Sequence, residues 1–396
     1  MRDFRARVKR GLAIGCALTL LSGTIAACTI GDVDAAKSSL NGENSAPKPD
    51  EPPVLNVEDG DTEVDPIEPI TVKGTPEQLK GLTMVNESGN EVESKLSADG
   101  TQWSSAEDLG YGRTYTITMP GYKDTTTTFT TVSPTATTTV SLGPLEDSTV
   151  GVGQAVIVIF SSAPSDRKAV EESIQVNTSN GTEGAFYWIG PRELRWRPKD
   201  FWKPGTQVEV VADLYGKDLG DGLYASADNS TRFTIGDDVR AIVDDSTKTM
   251  EVYKNGELLR SIPVSLGRDT SRWATPNGTY VVGDEHAQLM MDSETFGLPH
   301  ENGGYQTKVD YATQLSYSGI YVHAAPWSNW AQGNTNQSHG CINVTTEAAG
   351  WFQGVVKRGD PVIIKNTIGG TLPGWDGLGY WNIDWETWKA GNASAA

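Results

Sequence analysis

Residues 70–235 form a series of short apolar runs, each closed after a few residues by Gly, Asn, Asp or Pro. Leu82-Thr83-Met84-Val85 stops at Asn86, Thr114-Tyr115-Thr116-Ile117-Thr118 alternates polar and apolar, and Thr125–Thr131 is almost wholly β-branched. Runs this short, with period two, cannot supply the repeating apolar stripe of a helix. They lead instead to antiparallel sandwiches. The plan occurs twice. Trp103 and Tyr115 flank the turn Gly110-Tyr111-Gly112, and Trp196 and Val208 flank Pro204-Gly205 at the same separation about 93 residues later. Each copy closes with a Phe-Thr strand, at Phe129 and Phe233. The pattern predicts two tandem immunoglobulin-like β-sandwiches, 70–134 and 135–237, with the Trp side chains in their cores. The 43 Gly and 20 Pro in 396 residues fit such a turn-rich, mainly β chain.

The first 27 residues read as a secretory signal. Arg2, Arg5, Arg7, Lys9 and Arg10 precede an uncharged apolar run from Gly11 to Ala27, which ends Ala26-Ala27-Cys28. Small residues before a cysteine resemble a bacterial lipobox, in which Cys28 is acylated and anchors the chain to a membrane. The other reading is an uncleaved anchor helix, since the run is at the lower limit for spanning. Residues 28–69 are rich in Asp, Glu, Pro, Ser and Gly and poor in aromatics, which predicts a flexible tether with a reach of roughly 35 Å. The whole chain carries −19, and loss of the basic leader takes this to −23. Such a balance argues against a nucleic-acid partner, because phosphate binding needs clustered Lys and Arg.

Of three cysteines, Cys16 lies in the leader and Cys28 is the acylation site, so Cys341 stands alone with no disulfide partner. From Asp238 a third domain begins. Runs at Ala241–Val243, Thr249–Tyr253 and Leu258–Leu266 read as strands, with Asn255-Gly256 as a hairpin turn. Residues 284–311 break the pattern and read as an irregular lid, in which His286 and His300 are solvated. Thr345 caps a helix to about Val356, and Pro361–Lys365 is a last strand. The tail, 367–396, carries Trp375, Trp381, Trp385 and Trp388. The last three share one helical face, expected to pack on the catalytic domain or the second sandwich rather than to bind sugar.

The chemistry concentrates in IYVHAAPWSNWAQGNTNQSHGCINV, Ile320 to Val344. A short β-prone run delivers His323, a neutral Asn/Gln/Gly-rich loop follows, and the chain returns through Ser338-His339-Gly340-Cys341-Ile342-Asn343. A thiol needs a nearby base to become a nucleophile, and neutral imidazole is the usual one. Structural burial of the thiol is the competing reading. A zinc site is disfavoured, because there is no His-Glu-x-x-His and no Cys pair. No cofactor is expected.

His323, fourteen residues, then Ser-His-Gly-Cys-hydrophobic-Asn resembles the signature of the L,D-transpeptidases with a YkuD-type catalytic domain. The likeness runs from roughly Asp238 to the C-terminus, with the catalytic domain itself at 238–366, and extends in outline to the multidomain lipoproteins of mycobacteria and related actinobacteria. It implies a nucleophile, Cys341, and a base, His323, whose tautomer is fixed by the backbone carbonyl of Ala324, where many members carry Ser. It implies an oxyanion hole from the backbone N–H groups of Gly340 and Cys341. Tyr305, Met290, Ser318, Trp327, Ser338, His339 and Asn343 match substrate-facing or loop-bracing positions. The implied reaction joins diaminopimelate residues of peptidoglycan stems in 3→3 cross-links, with carbapenems as acylating inhibitors. An L,D-carboxypeptidase, an enzyme attaching proteins to the wall, and a non-catalytic wall-binding lipoprotein are the alternatives.

Overall fold

The computed structural model describes residues 48, 50–297 and 299–394, so the leader, Cys28 and most of the tether lie outside the described residues. The first module pairs a four-stranded sheet, Val54–Leu55, Thr71–Lys73, Gln102–Ser105 and Ser94–Leu96, with a three-stranded one, Thr83–Asn86, Thr114–Met119 and Thr125–Thr130. The alternation read in Thr114–Met119 is kept: Tyr115, Ile117 and Met119 are buried with Trp103, Val72, Met84 and Phe129. The module begins earlier than expected. Val54 and Leu55 pair with Lys73 and Val72, Val57 joins the core, and Val64 bridges to Thr131. Residues 54–69 are therefore part of the sandwich and not tether. Their few apolar residues suffice because the edge strand Thr125–Thr130 satisfies their backbone, with Gly60 N–H donating to Thr128 O at 2.7 Å and Val64 N–H to Thr130 O at 3.1 Å.

The second module stacks the sheet Gly184–Gly190, Glu193–Pro198, Val156–Phe160, Val140–Gly143 on Thr149–Val150, Asn229–Ile235, Gln207–Ala212, Ile174–Thr178. Trp188, Trp196 and Trp202 are buried in its core with Phe160 and Phe233. Tyrosines tie the two modules: Tyr215 O–H donates to Leu109 O at 2.6 Å and Tyr111 O–H to Ala225 O at 3.0 Å.

The third domain holds a five-stranded sheet, ordered Glu257–Pro263, Thr249–Lys254, Val239–Asp244, Pro361–Lys365, Gly278–Val281. Its second sheet has four strands, Glu285–Asp292, Gln306–Gln314, Tyr321–Ala324, Ile342–Val344. Asn255 and Gly256 both take positive φ, 51° and 86°, as a two-residue hairpin turn needs. Val243, Val252, Leu266, Val322, Ile342, Phe352 and Ile364 share one core. The helix Thr346–Val355 starts where Thr345 accepts the Ala348 N–H at 3.2 Å.

The lid is more regular than the sequence suggests. Glu285–Asp292 and Gln306–Gln314 form a long hairpin, and only residues 293–305 at its tip are irregular. Of the eight residues in Glu285–Asp292, Met291 alone is buried, so no period-two apolar signal could form.

The tail seats the third domain on the second. Trp381 lies in a 3-10 turn, and the α-helix is only Trp385–Ala390, so the predicted single helical face is split. Trp388 Nε1–H donates to Ala185 O at 2.8 Å and Trp381 Nε1–H to Gly153 O at 2.8 Å. The Arg197 guanidinium lies 4.4 Å from the ring centroids of both Trp381 and Trp388. Backbone bonds from Gly151 to Arg358 and from Gly153 to Gly359, each 2.8 Å, complete the joint.

Asp360 is buried in this joint, and burial raises its carboxyl to about 7. A folded-state value above the unfolded one costs stability as pH rises from about 4, with the full cost present above about 7. Asp360→Asn removes the charge. We expect thermal melts at pH 8 to rise in this variant and those at pH 4 to stay near wild type. An equal shift at both pH values would contradict the assignment.

Candidate active site

Two central strands place the reactive groups. Tyr321–Ala324 runs parallel to Ile342–Val344, with Val322 opposite Ile342 and His323 opposite Asn343. Strand side chains alternate in direction, so Val322 and Ile342 enter the core while His323, Cys341 and Asn343 share the other face. All three line a cavity of about 170 Å³ with Met291, Tyr305, Thr307, Val309, Trp327, Gln337, Ser338 and His339. A larger cavity lies far along the chain, in the second sandwich around Phe160 and Arg192, and carries none of these groups.

His323 Nδ1 lies 2.9 Å from the Ala324 carbonyl. A carbonyl only accepts, so Nδ1 carries the proton and Nε2 keeps a lone pair, which is the tautomer a general base needs. Burial lowers the His323 imidazole to about 4, with the Ala324 bond opposing. Burial likewise pushes the Cys341 thiol up to about 11, against a backbone hydrogen bond from Tyr321. The resting pair is therefore thiol and neutral imidazole rather than thiolate and imidazolium. The thiol donates to Gly319 O at 3.5 Å.

The nucleophile sits in a braced turn. Gly340 has φ +133°, outside the range that side chains favour. Ser338 Oγ–H donates to Cys341 O at 2.6 Å and accepts the Gly340 N–H at 3.0 Å. Ser338 is thus a brace as well as a cavity-wall residue. The Gly340 N–H, expected to face the substrate, is turned into the loop and is not a free oxyanion donor in this state. Beneath the turn, Thr275 Oγ1–H donates to Gly340 O at 2.8 Å and accepts the Gly267 N–H at 2.9 Å.

His339 is half-buried, 4.7 Å from the Trp273 ring and 4.9 Å from Tyr305, with the Arg268 guanidinium on its Nε2. Burial, then Arg268 and Arg272, lower its pKa, so it too is neutral. Burial raises the Tyr305 hydroxyl to about 12, with Cys341 adding to the shift. The Trp327 ring lies 6.1 Å from that of His323 and forms the outer wall. Asn343 donates Nδ2–H to Ser328 Oγ at 3.1 Å, and its backbone bonds to Ser265 in both directions.

Two expected residues fall elsewhere. Met290 is 55 % exposed, whereas Met291 is 4 % exposed and lines the cavity. One step along a strand reverses the side chain, and Met291 opposite Thr307 is the inward position. Ser318 lies outside the cavity: it is exposed, its N–H donates to Asp376 Oδ2 at 3.0 Å, and its hydroxyl donates to Ser316. Thr275, Gly267, Arg268 and Trp273 also support the nucleophile turn, although nothing local in the sequence ties them to Cys341 some 70 residues on. Met291→Ala is expected to weaken acylation efficiency by about tenfold, a loss of roughly 1.4 kcal/mol, with Met290→Ala close to wild type. Second-order acylation rates with a β-lactam probe check this, and the reverse ranking would restore Met290 to the wall.

Among the described residues, Asp292, Glu294 and His300 form the one group with ligand atoms close enough for a metal. His300 Nε2 lies within hydrogen-bond distance of Asp292 Oδ1, 2.9 Å, at the lid tip, so His300 is not a solvated residue without partners. None of the three lines the cavity.

Comparison with known proteins matches residues 61–218 to a bacterial Ig domain family and residues 238–364 to the L,D-transpeptidase catalytic domain (YkuD) family. L,D-transpeptidase 2 of Mycobacterium tuberculosis (strain CDC 1551 / Oshkosh) is 47 % identical over 346 residues, covering 86 % of this chain and 84 % of its own. L,D-transpeptidase 5 of Mycobacterium tuberculosis (strain ATCC 25618 / H37Rv) is 32 % identical over 353 residues, covering 85 % and 75 %. Among solved structures, the LD transpeptidase LdtMt1 in complex with imipenem aligns with a TM-score of 0.50 at 35 % identity, over 57 % of this chain and 97 % of the other.

Proposed function

This chain belongs to the L,D-transpeptidase family, and on that premise we propose that it forms 3→3 cross-links in peptidoglycan through a thioester on Cys341. The observation that carries the reading is the shared face of His323 and Cys341 around one cavity, with Nδ1 of His323 committed to the Ala324 carbonyl. A donor tetrapeptide stem enters past Trp327, and Cys341 Sγ attacks the carbonyl of its third residue, a diaminopimelate. The thiol proton passes to Nε2 of His323 as the S–C bond forms, because the resting thiol is not ionised. The Cys341 N–H supports the oxyanion, and the Gly340 N–H joins once Ser338 releases it. One such donor is worth roughly 3–4 kcal/mol. The C–N bond breaks, D-alanine leaves with the proton from His323, and a thioester remains. The side-chain amine of a second diaminopimelate attacks it, giving the cross-link and restoring the thiol. Water in place of that amine gives a tripeptide and makes the same site a carboxypeptidase.

The same attack opens a carbapenem ring, leaving an acyl adduct on the same sulfur. The basic leader and Ala-Ala-Cys28 support an extracytoplasmic enzyme held by an acyl chain on the membrane, so Cys28→Ala should move it from the membrane to the soluble fraction. Incubation with disaccharide-tetrapeptide tests the reaction. A dimer linked between two third residues, with one D-alanine released per link, is expected. Tripeptide alone would assign the carboxypeptidase, and no turnover at all would leave a wall-binding protein.

A further inference from the structure

Trp330 has no role in the chemistry above, yet it is 66 % exposed, a large apolar surface held in water beside the active site. It lies in a run of tight turns that starts at the 3-10 turn Pro326–Ser328, with Ser328 N–H to Ala325 O at 3.0 Å and Ala331 N–H to Ser328 O at 2.9 Å. Trp330 comes three residues after Trp327, itself 54 % exposed and part of the cavity wall. The loop itself is neutral and rich in amides. No Asp, Glu, Lys or Arg occurs between His323 and His339, and Asn329, Asn334 and Gln337 are exposed. An anionic membrane surface would call for Lys or Arg beside the tryptophan, and there is none in this loop.

We propose that Trp330, with Asn329 and Asn334, is a stacking platform for the acetamido sugar that carries the donor stem. The flat C–H face of a pyranose covers an indole ring, while the acetamido group and hydroxyls pair with neutral amides. The reach suits this occupant: a linker and the first two stem residues separate the sugar from the attacked residue, so at 3.3–3.6 Å per residue the sugar falls roughly 10 Å or more from Cys341, outside the cavity and past its Trp327 wall. The proposal deepens the transpeptidase reading and rests on it.

Two measurements on the full chain separate the two claims. In steady state, disaccharide-tetrapeptide should show a KM about tenfold below that of the sugar-free tetrapeptide, the scale of one aromatic contact. Trp330→Ala should erase the difference and Trp330→Tyr keep most of it, with sugar-free tetrapeptide kinetics and carbapenem acylation unchanged. Without turnover, N-acetylglucosamine oligomers should quench tryptophan fluorescence in Cys341→Ala and not in Cys341→Ala/Trp330→Ala. A wild type indifferent to the sugar would overturn the platform, as would equal losses on both substrates. A Trp330→Ala effect confined to self-association in sedimentation would assign the surface to a second copy of the chain instead. Sugar-dependent quenching with no acylation of Cys341 would retain the platform and remove the transpeptidase reading.

Discussion

Exchange of His323 for Ala is expected to slow acylation of Cys341 by 10²–10⁴-fold near neutral pH, the range of a lost general base. The size follows from the resting state. With the thiol raised to about 11, the fraction already ionised at pH 7 is negligible, so nearly every attack needs a group to take the proton. His323 can do so wherever it is neutral. The wild-type rate should be flat through pH 6–8 and fall as pH drops through about 4, where the imidazole protonates. In His323→Ala the only route is prior ionisation, so its rate should climb about tenfold per pH unit toward 11. Stopped-flow acylation across pH reads both profiles. A variant with a flat profile and near-normal rate would show that another group takes the proton.

Gly267→Ala is expected to be the most damaging substitution outside the cavity wall. Gly267 bridges in parallel to Ser338, and its N–H holds Thr275 Oγ1, which in turn holds Gly340 O. A Cβ at 267 would collide with the Trp273 carbonyl, lie 2.7 Å from Thr275 N and sit 3.0 Å from Gly340 Cα. The atoms in its way are backbone, so the segment 273–275 or the nucleophile turn has to shift. A displacement near 1 Å at a reacting centre costs about 10² in rate, while overpacking costs stability of about 1–3 kcal/mol. Acylation should therefore fall about a hundredfold with the circular dichroism of the fold retained. Gly256→Ala is the control: its φ of +86° makes Ala strained, but nothing lies within 4 Å and it is far from the turn, so activity should be untouched. Equal rates in the two variants would mean that the Gly267–Thr275 brace does not position Cys341.

Local patterns carried much of this architecture. Asn255-Gly256, the capped helix after Thr345 and the alternation of Thr114–Met119 were readable because each depends on a few neighbouring residues. Ser338-His339-Gly340-Cys341 with His323 was readable for another reason, since the chemistry itself demands those types. What failed depended on partners distant in sequence. Residues 54–69 looked like tether because their partners, Thr71–Lys73 and Thr128–Thr131, are supplied by the fold. Met290 and Met291 are indistinguishable until pairing with Gln306–Gln314 sets which one faces inward. The Gly340 amide looked free for an oxyanion because only the folded turn brings Ser338 Oγ onto it.

The central claim is that one sulfur, served by one imidazole, captures acyl groups. Intact-protein mass spectrometry after incubation with a carbapenem tests it most directly. The account predicts a single covalent adduct on the wild-type chain, mapped by peptide digestion to Cys341, and none on Cys341→Ala. An adduct that persists in Cys341→Ala, or a wild-type chain that stays unmodified while folded, would contradict it.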